Sequence, residues 1–353
     1  MRIWIDLANS PHVPLFSALI KEFAGRGHEV EITARDFAET VDLARAAGLE
    51  PQVIGKHGGR GVIGKTVNLF QRAWALRRWA RGRFFDLAVS HNSYTQILAA
   101  RWLGLKSVTL MDYEHQPANH LAFRFASRII VPSAFPEDAL IRHGADLTKV
   151  RRYNGAKEDV YLADFERDPN FIDKLRELGV SEEAVLVTVR PPARDALYHR
   201  FENELFDELL NRLLERSEVK VVLLPRTASQ RSGQWLGQYR NAIASGQDRT
   251  AVASGLIIPA KPLDGPNLIA ASDLLISAGG TMNREAAALG IPAATIYAGQ
   301  WAAIDEKLVR EGRLMRIHTR QDLDELPIKK KTKVQAHSAA HVRREVTELI
   351  LEQ

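Results

Sequence analysis

From the second residue onward, short β-branched apolar runs alternate with segments whose apolar positions recur every three or four residues. Runs of the first kind read as strands buried on both faces, and segments of the second kind as amphipathic helices. In the first half the predicted strands cover 2–7, 29–34, 52–54, 86–90, 107–111 and 128–132. The clearest helix covers 14–26, with Leu15, Leu19, Ile20 and Phe23 on one side and Gly27 as its stop, and another over 95–103 ends at Gly104. Strands that alternate with helices build βαβ units, so the fold class is α/β, with parallel sheets covered by helices.

A polar stretch after Tyr153-Asn154-Gly155 interrupts this pattern, and 155–170 reads as a linker. The alternation resumes with strands over 185–189, 220–224, 256–259, 274–277 and 293–297 and helices over 202–214 and 304–311. A basic connector, Lys329-Lys330-Lys331-Thr332-Lys333, leads to a last amphipathic helix over 339–351. The expected organisation is an N-terminal Rossmann-like domain over 1–155, joined by the C-terminal helix in 335–353, and a second domain over 165–330. A chain of 353 residues is long enough for two such domains.

Composition changes this picture in two places. With no cysteine, the chain has no disulfide, thiolate metal site or cysteine nucleophile. The start, MRIWIDLANSPH, sets Asp6 in its only apolar run, so neither a signal-peptide core nor a membrane span is expected and the cytoplasm is the default location. The net charge of +5 is unevenly spread: residues 1–160 hold 22 Lys+Arg against 16 Asp+Glu, and the rest is nearly balanced. Between Lys56 and Arg83 lie eight basic residues, no acid, and Phe70, Trp74 and Trp79. Such a stretch suits a surface helix with Trp74 and Trp79 partly buried, and alternatively a dock for an anionic membrane surface or a lipid-linked acceptor. No motif for nucleic acid accompanies it.

The most informative segment is 272–292, which reads as strand, glycine turn and helix. Gly279 and Gly280 let backbone approach a ligand, and the N–H groups from Thr281 onward attract phosphate oxygens. Ser277 ends the strand, and Glu285, one turn into the helix, suits ribose hydroxyls. A tight turn with a solvated Glu285 is the alternative. Arg190 and Arg226 each end a predicted strand of this half, where ligands of parallel sheets bind, and their forked donors suit a diphosphate. The segment 59–66 fits the P-loop pattern G-x-x-x-x-G-K-T, with Asp112 as a downstream acid, but only a short strand precedes it. An NTPase is therefore the less favoured reading.

The 272–292 segment, the opening strand–loop–helix through Arg26-Gly27-His28-Glu29-Val30, and the order Met111-Asp112-Tyr113-Glu114-His115, Ile130-Val131-Pro132-Ser133 and 150–155 together resemble GT-B proteins. The likeness is to non-hydrolysing UDP-N-acetylglucosamine 2-epimerases and MurG-like glycosyltransferases. Over nearly its whole length the chain is similar to the uncharacterised domain-of-unknown-function family 354. The resemblance implies two Rossmann-like domains facing a cleft, a UDP-linked nucleotide sugar as substrate rather than cofactor, and an acceptor-facing loop at His12. A histidine titrating near neutrality can take the proton of an attacking hydroxyl, and Asp112 and Glu114 are rival bases. The chain departs from the epimerases at His91-Asn92, where they carry Asp, at Arg190, where they carry His, and at Glu285, set one residue farther from the glycines.

The expectation is therefore metal-independent glycosyl transfer from a UDP-sugar in cell-surface polysaccharide or glycolipid synthesis, in the cytoplasm or at its membrane face. A 2-epimerase-like reaction and a nucleotide-sugar-binding protein without turnover are the alternatives.

Overall fold

The computed structural model describes residues 1–56, 62–192, 204–225, 251–253, 255–332 and 340–352. They fall into two compact units, the first holding 1–164 with 302–304 and the last helix, the second holding most of 165–337.

In the first unit seven strands form one parallel sheet: β1 (Arg2–Leu7), β2 (Glu29–Asp36), β3 (Gln52–Lys56), β4 (Leu87–His91), β5 (Lys106–Leu110), β6 (Arg128–Pro132) and β7 (Val150–Tyr153). Their spatial order is β3-β2-β1-β4-β5-β6-β7, so the direction of winding reverses between β1 and β4. Such a reversal leaves a crevice beyond the carboxyl ends of the two strands, the usual ligand position in open α/β sheets. Ile3, Ile5 and Leu7 of β1 pack with Leu15, Leu19 and Phe23 of α1 (His12–Gly25), positions the sequence periodicity marks, and with Phe16, which it does not. Val342, Val346 and Ile350 of the last helix (Ala340–Leu351) complete this core.

The second unit repeats the plan with β8 (Val185–Arg190), β9 (Val219–Leu223), β10 (Ala251–Ala253), β11 (Leu256–Ile258), β12 (Leu274–Ser277), β13 (Ala293–Thr295) and β14 (Met315–Arg316). The order is β10-β11-β9-β8-β12-β13-β14, parallel except for β10 at the edge, and the reversal here falls between β8 and β12. Each half is therefore a Rossmann-like α/β layer structure.

Four expectations change. His12 is the first residue of α1 rather than part of the preceding loop. Within the polar segment read as linker, Lys157–Leu162 is a helix whose Lys157, Glu158 and Asp159 are buried. Polar text conceals this element because its buried side chains are charged. The lysine connector is also anchored: the Lys331 ammonium donates to the carbonyls of Ala270 (2.9 Å) and Ser272 (2.5 Å), and burial lowers its pKa to about 8. Trp79 is partly buried against Trp4 and Phe85, whereas Trp74 is 56% exposed. Among the described residues no helix is long and apolar enough to cross a membrane.

One close approach tests the placement of the last helix. A Cβ on Gly155 would stand 2.8 Å from Val342 Cγ1 and 2.9 Å from Cγ2. Gly155→Ala is expected to destabilise by about 1–3 kcal/mol in denaturant unfolding. Adding Val342→Ala should recover part of that loss, since the new methyl fills the space vacated. Strict additivity of the two changes would contradict this packing.

Candidate functional site

In the first unit the reversal between β1 and β4 rests on a buried ion pair. Asp6, fully buried near the end of β1, accepts from Arg72 through both oxygens (2.8 and 2.9 Å). Arg72 comes from α3 (Val62–Ala80), and its Nε donates to the Ile54 carbonyl (2.9 Å). Thr33 Oγ1 (2.7 Å) and Ser93 Oγ also donate to Asp6, so the carboxylate is amply satisfied. A buried pair is tolerated on those terms, and removal of one partner costs roughly 3–5 kcal/mol. Arg72 thus leaves the basic surface stretch and becomes part of the floor beneath this crevice.

Above that floor four titratable side chains meet. The rings of His12, at the start of α1, and His91, the last residue of β4, lie 4.9 Å apart. His91 Nε2 is 3.2 Å from Asp112 Oδ1, and Lys157 Nζ donates to Asp112 Oδ2 at 2.7 Å. Lys157 also lies 3.6 Å from Glu158 Oε1. Asn92 follows in the left-handed region at φ +52°, a conformation asparagine tolerates better than most residues. Its amide donates to Asn119 Oδ1 (3.0 Å), while its own Oδ1, like His12 Nδ1, has no hydrogen-bond partner among the described residues.

Burial is the chief cause that holds His12 well below the usual imidazole pKa, and its electrostatic interactions with His91 and Lys157 act in the same direction. The Asp112 carboxylate opposes them. His12 is therefore a neutral imidazole at pH 7, with a weaker hold on a proton than the near-neutral titration expected from the sequence. Because the unfolded chain binds that proton more readily, this group makes stability fall as pH drops below about 6.5.

Of the three residues expected to act as bases, the structure brings His12 and Asp112 into one cluster. Glu114 is buried nearby in sequence, with Oε1 accepting from the Ala303 backbone N–H (2.7 Å) and 3.8 Å from His115 Nε2. His91 stands out in the sequence only as a departure from the epimerases, and Lys157 lies in a polar segment that reads as linker. The signal for Lys157 was its place just beyond β7.

In the second unit β12 runs into Gly279 and then into a helix over Gly280–Ala288. Ser277 pairs with Arg190 across the reversal, and Ala278 N donates to the Arg190 carbonyl (3.1 Å), so the half-buried arginine and the glycine turn share the ends of β8 and β12. Asn283 ties the turn down from the helix, its amide donating to Gly279 O (2.7 Å) and Ser277 O (3.3 Å). Arg284, buried, pairs through two nitrogens with Asp305 (2.6 and 2.9 Å). Thr281 and Glu285 are half-buried. Arg226 lies outside the described residues, as do residues 59–61 of the P-loop-like segment, whose remainder begins α3 behind the edge strand β3. The one Asp-x-Asp spacing, Asp322 and Asp324, is engaged by the His318 and Thr319 N–H groups and by Arg212. Among the described residues no group of three or more His, Asp and Glu side chains is placed to hold a metal ion.

Against known proteins, residues 1–352 match the family described as Protein of unknown function (DUF354). Uncharacterized protein MJ0665 of Methanocaldococcus jannaschii is 28% identical over 332 residues, covering 92% of this chain and 89% of that one. Among solved structures, UDP-GlcNAc 2-epimerase from Neisseria meningitidis bound to UDP-GlcNAc superposes with a TM-score of 0.73 over all of both chains at 13% identity. Acinetobacter baumannii MurG gives 0.56 at 15% identity, covering 100% of this chain and 99% of that one. At such identities these likenesses show the shared fold.

The cluster in the first unit gives a prediction with a sign. Lys157→Gln removes a charge that lowers the His12 pKa and releases the Asp112 carboxylate that raises it. Both changes push His12 upward, which an NMR titration of the His12 ring should show. An unmoved midpoint in the folded variant would contradict the arrangement.

Proposed function

We propose that this chain, which belongs to the DUF354 family, is a metal-independent glycosyltransferase that takes its sugar from a UDP-linked donor. The acceptor class is a cell-surface polysaccharide or glycolipid. The observation that carries the reading is the end of β12, where a glycine turn opens a helix N-terminus beside Arg190. Free N–H groups and a guanidinium at a reversal of sheet order form an anion site suited to a diphosphate. As the sugar departs, charge develops on that diphosphate, and fixed donors there lower the barrier. The base assigned to the acceptor hydroxyl is His12, which stands beside His91 in the first unit and is unprotonated at pH 7, though burial weakens its hold on a proton.

A second reading, epimerisation of a UDP-N-acetylhexosamine, is favoured by the full-length superposition on the Neisseria meningitidis enzyme. Against it stand His91-Asn92 and Arg190 at positions where such enzymes carry Asp and His, and the engagement of Glu114 with Ala303. Incubation with UDP-GlcNAc alone separates the two, because only an epimerase forms product without an acceptor.

Calorimetry tests the donor site itself. UDP should bind, and Gly280→Asp should weaken it by roughly tenfold to a hundredfold, the value of lost charge-assisted hydrogen bonds plus repulsion. The second unit should stay folded, since a Cβ on Gly280 meets only the end of the Arg284 side chain, at 3.2 Å. Lys65→Ala should leave affinity unchanged. Unaltered UDP affinity in folded Gly280→Asp, or its loss in Lys65→Ala, would refute the site.

A further inference from the structure

The outward face of α3 has no counterpart in the reaction described above. Its inward face is accounted for: Arg72 pairs with Asp6, and Ala73, Leu76 and Ala80 are buried. On the opposite side Val67, Phe70 and Trp74 follow at spacings of three and four and are 49%, 53% and 56% exposed. The same stripe continues into Arg78 and Arg81, both exposed, and among the described residues no carboxylate pairs with either. Just past the helix Phe84 is 83% exposed. Between Glu50 and Asp86 the chain has no acidic residue.

An ordinary surface helix turns charged residues of both signs to water, whereas this one turns an aliphatic side chain and two aromatic rings outward and follows them with arginines. Exposed apolar residues gathered on one face mark a surface that meets a partner. The sign of the charge selects the partner's chemistry. Aromatic rings settle at the boundary between headgroups and acyl chains, and arginines in line with them reach lipid phosphates. We infer that α3 lays its Val67–Phe70–Trp74 stripe on an anionic membrane surface, with Arg78 and Arg81 on lipid phosphates. The inference stands independently of the proposed reaction. It would bring the first unit to a lipid surface.

The test is co-sedimentation of the full chain with phosphatidylcholine vesicles that contain or lack phosphatidylglycerol, at about 50 mM and about 500 mM salt, where screening differs severalfold. Binding is expected only with phosphatidylglycerol and only at low salt. Arg78→Glu/Arg81→Glu should weaken it at least about twentyfold, each basic residue near such a surface being worth about fivefold. Phe70→Ser/Trp74→Ser should also abolish sedimentation, and because both side chains point to solvent, circular dichroism and thermal melting should be unchanged. Several outcomes would overturn the proposal: no binding to phosphatidylglycerol vesicles at low salt, equal binding to both vesicle types, or indifference to both double variants. So would a lipid-free dimer that Phe70→Ser/Trp74→Ser dissolves, which would assign the stripe to a second copy. Tight binding of single-stranded RNA with none to vesicles would assign it to nucleic acid.

Discussion

The buried pair of Asp6 and Arg72 is the interaction on which the first unit's crevice depends. One guanidinium reaches the end of β1 through Asp6, the middle of β3 through the Ile54 carbonyl, and the start of the helix Tyr94–Leu103 through Thr95. Ser93, donating to the same carboxylate, fixes the turn that holds Asn92 at positive φ. Two charges taken out of water are stable only when every donor and acceptor is met, and each of these contacts closes one such demand. The relative positions of His12 and His91 follow, because each adjoins a strand end that this network holds.

The two units solve the same topological problem with different chemistry. Both sheets reverse their winding beside their first strand, and both place polar residues beyond the carboxyl ends there. In the first unit the residues are titratable and crowded, so burial and like charge keep His12 neutral. In the second they are backbone N–H groups and Arg190, with Asn283 fixing the glycine turn and Asp305 engaging Arg284. One arrangement suits proton transfer and the other suits anion binding.

The fold was legible wherever physics makes sequence periodic. Parallel strands covered on both faces appear as apolar runs, and the glycine turn after Ser277 announces itself by type and spacing. What stayed hidden was buried charge. Arg72 looked like part of a basic surface stretch, and Lys157, Glu158 and Asp159 looked like a linker, because a paired ion in the interior is written with the same letters as a solvated one. Strands β10 and β14, of three and two residues, are too short to carry a period. The exposed Trp74 stripe reversed the expectation for a different reason: tryptophan in a helix is ordinarily assigned to the core.

The claim that the second unit's strand reversal is the nucleotide-diphosphate site is tested most directly by amide hydrogen exchange with and without UDP. The account predicts slowed exchange from Ser277 through Glu285 and at the end of β8 near Arg190. Protection confined to 59–66, or none at saturating UDP, would contradict it.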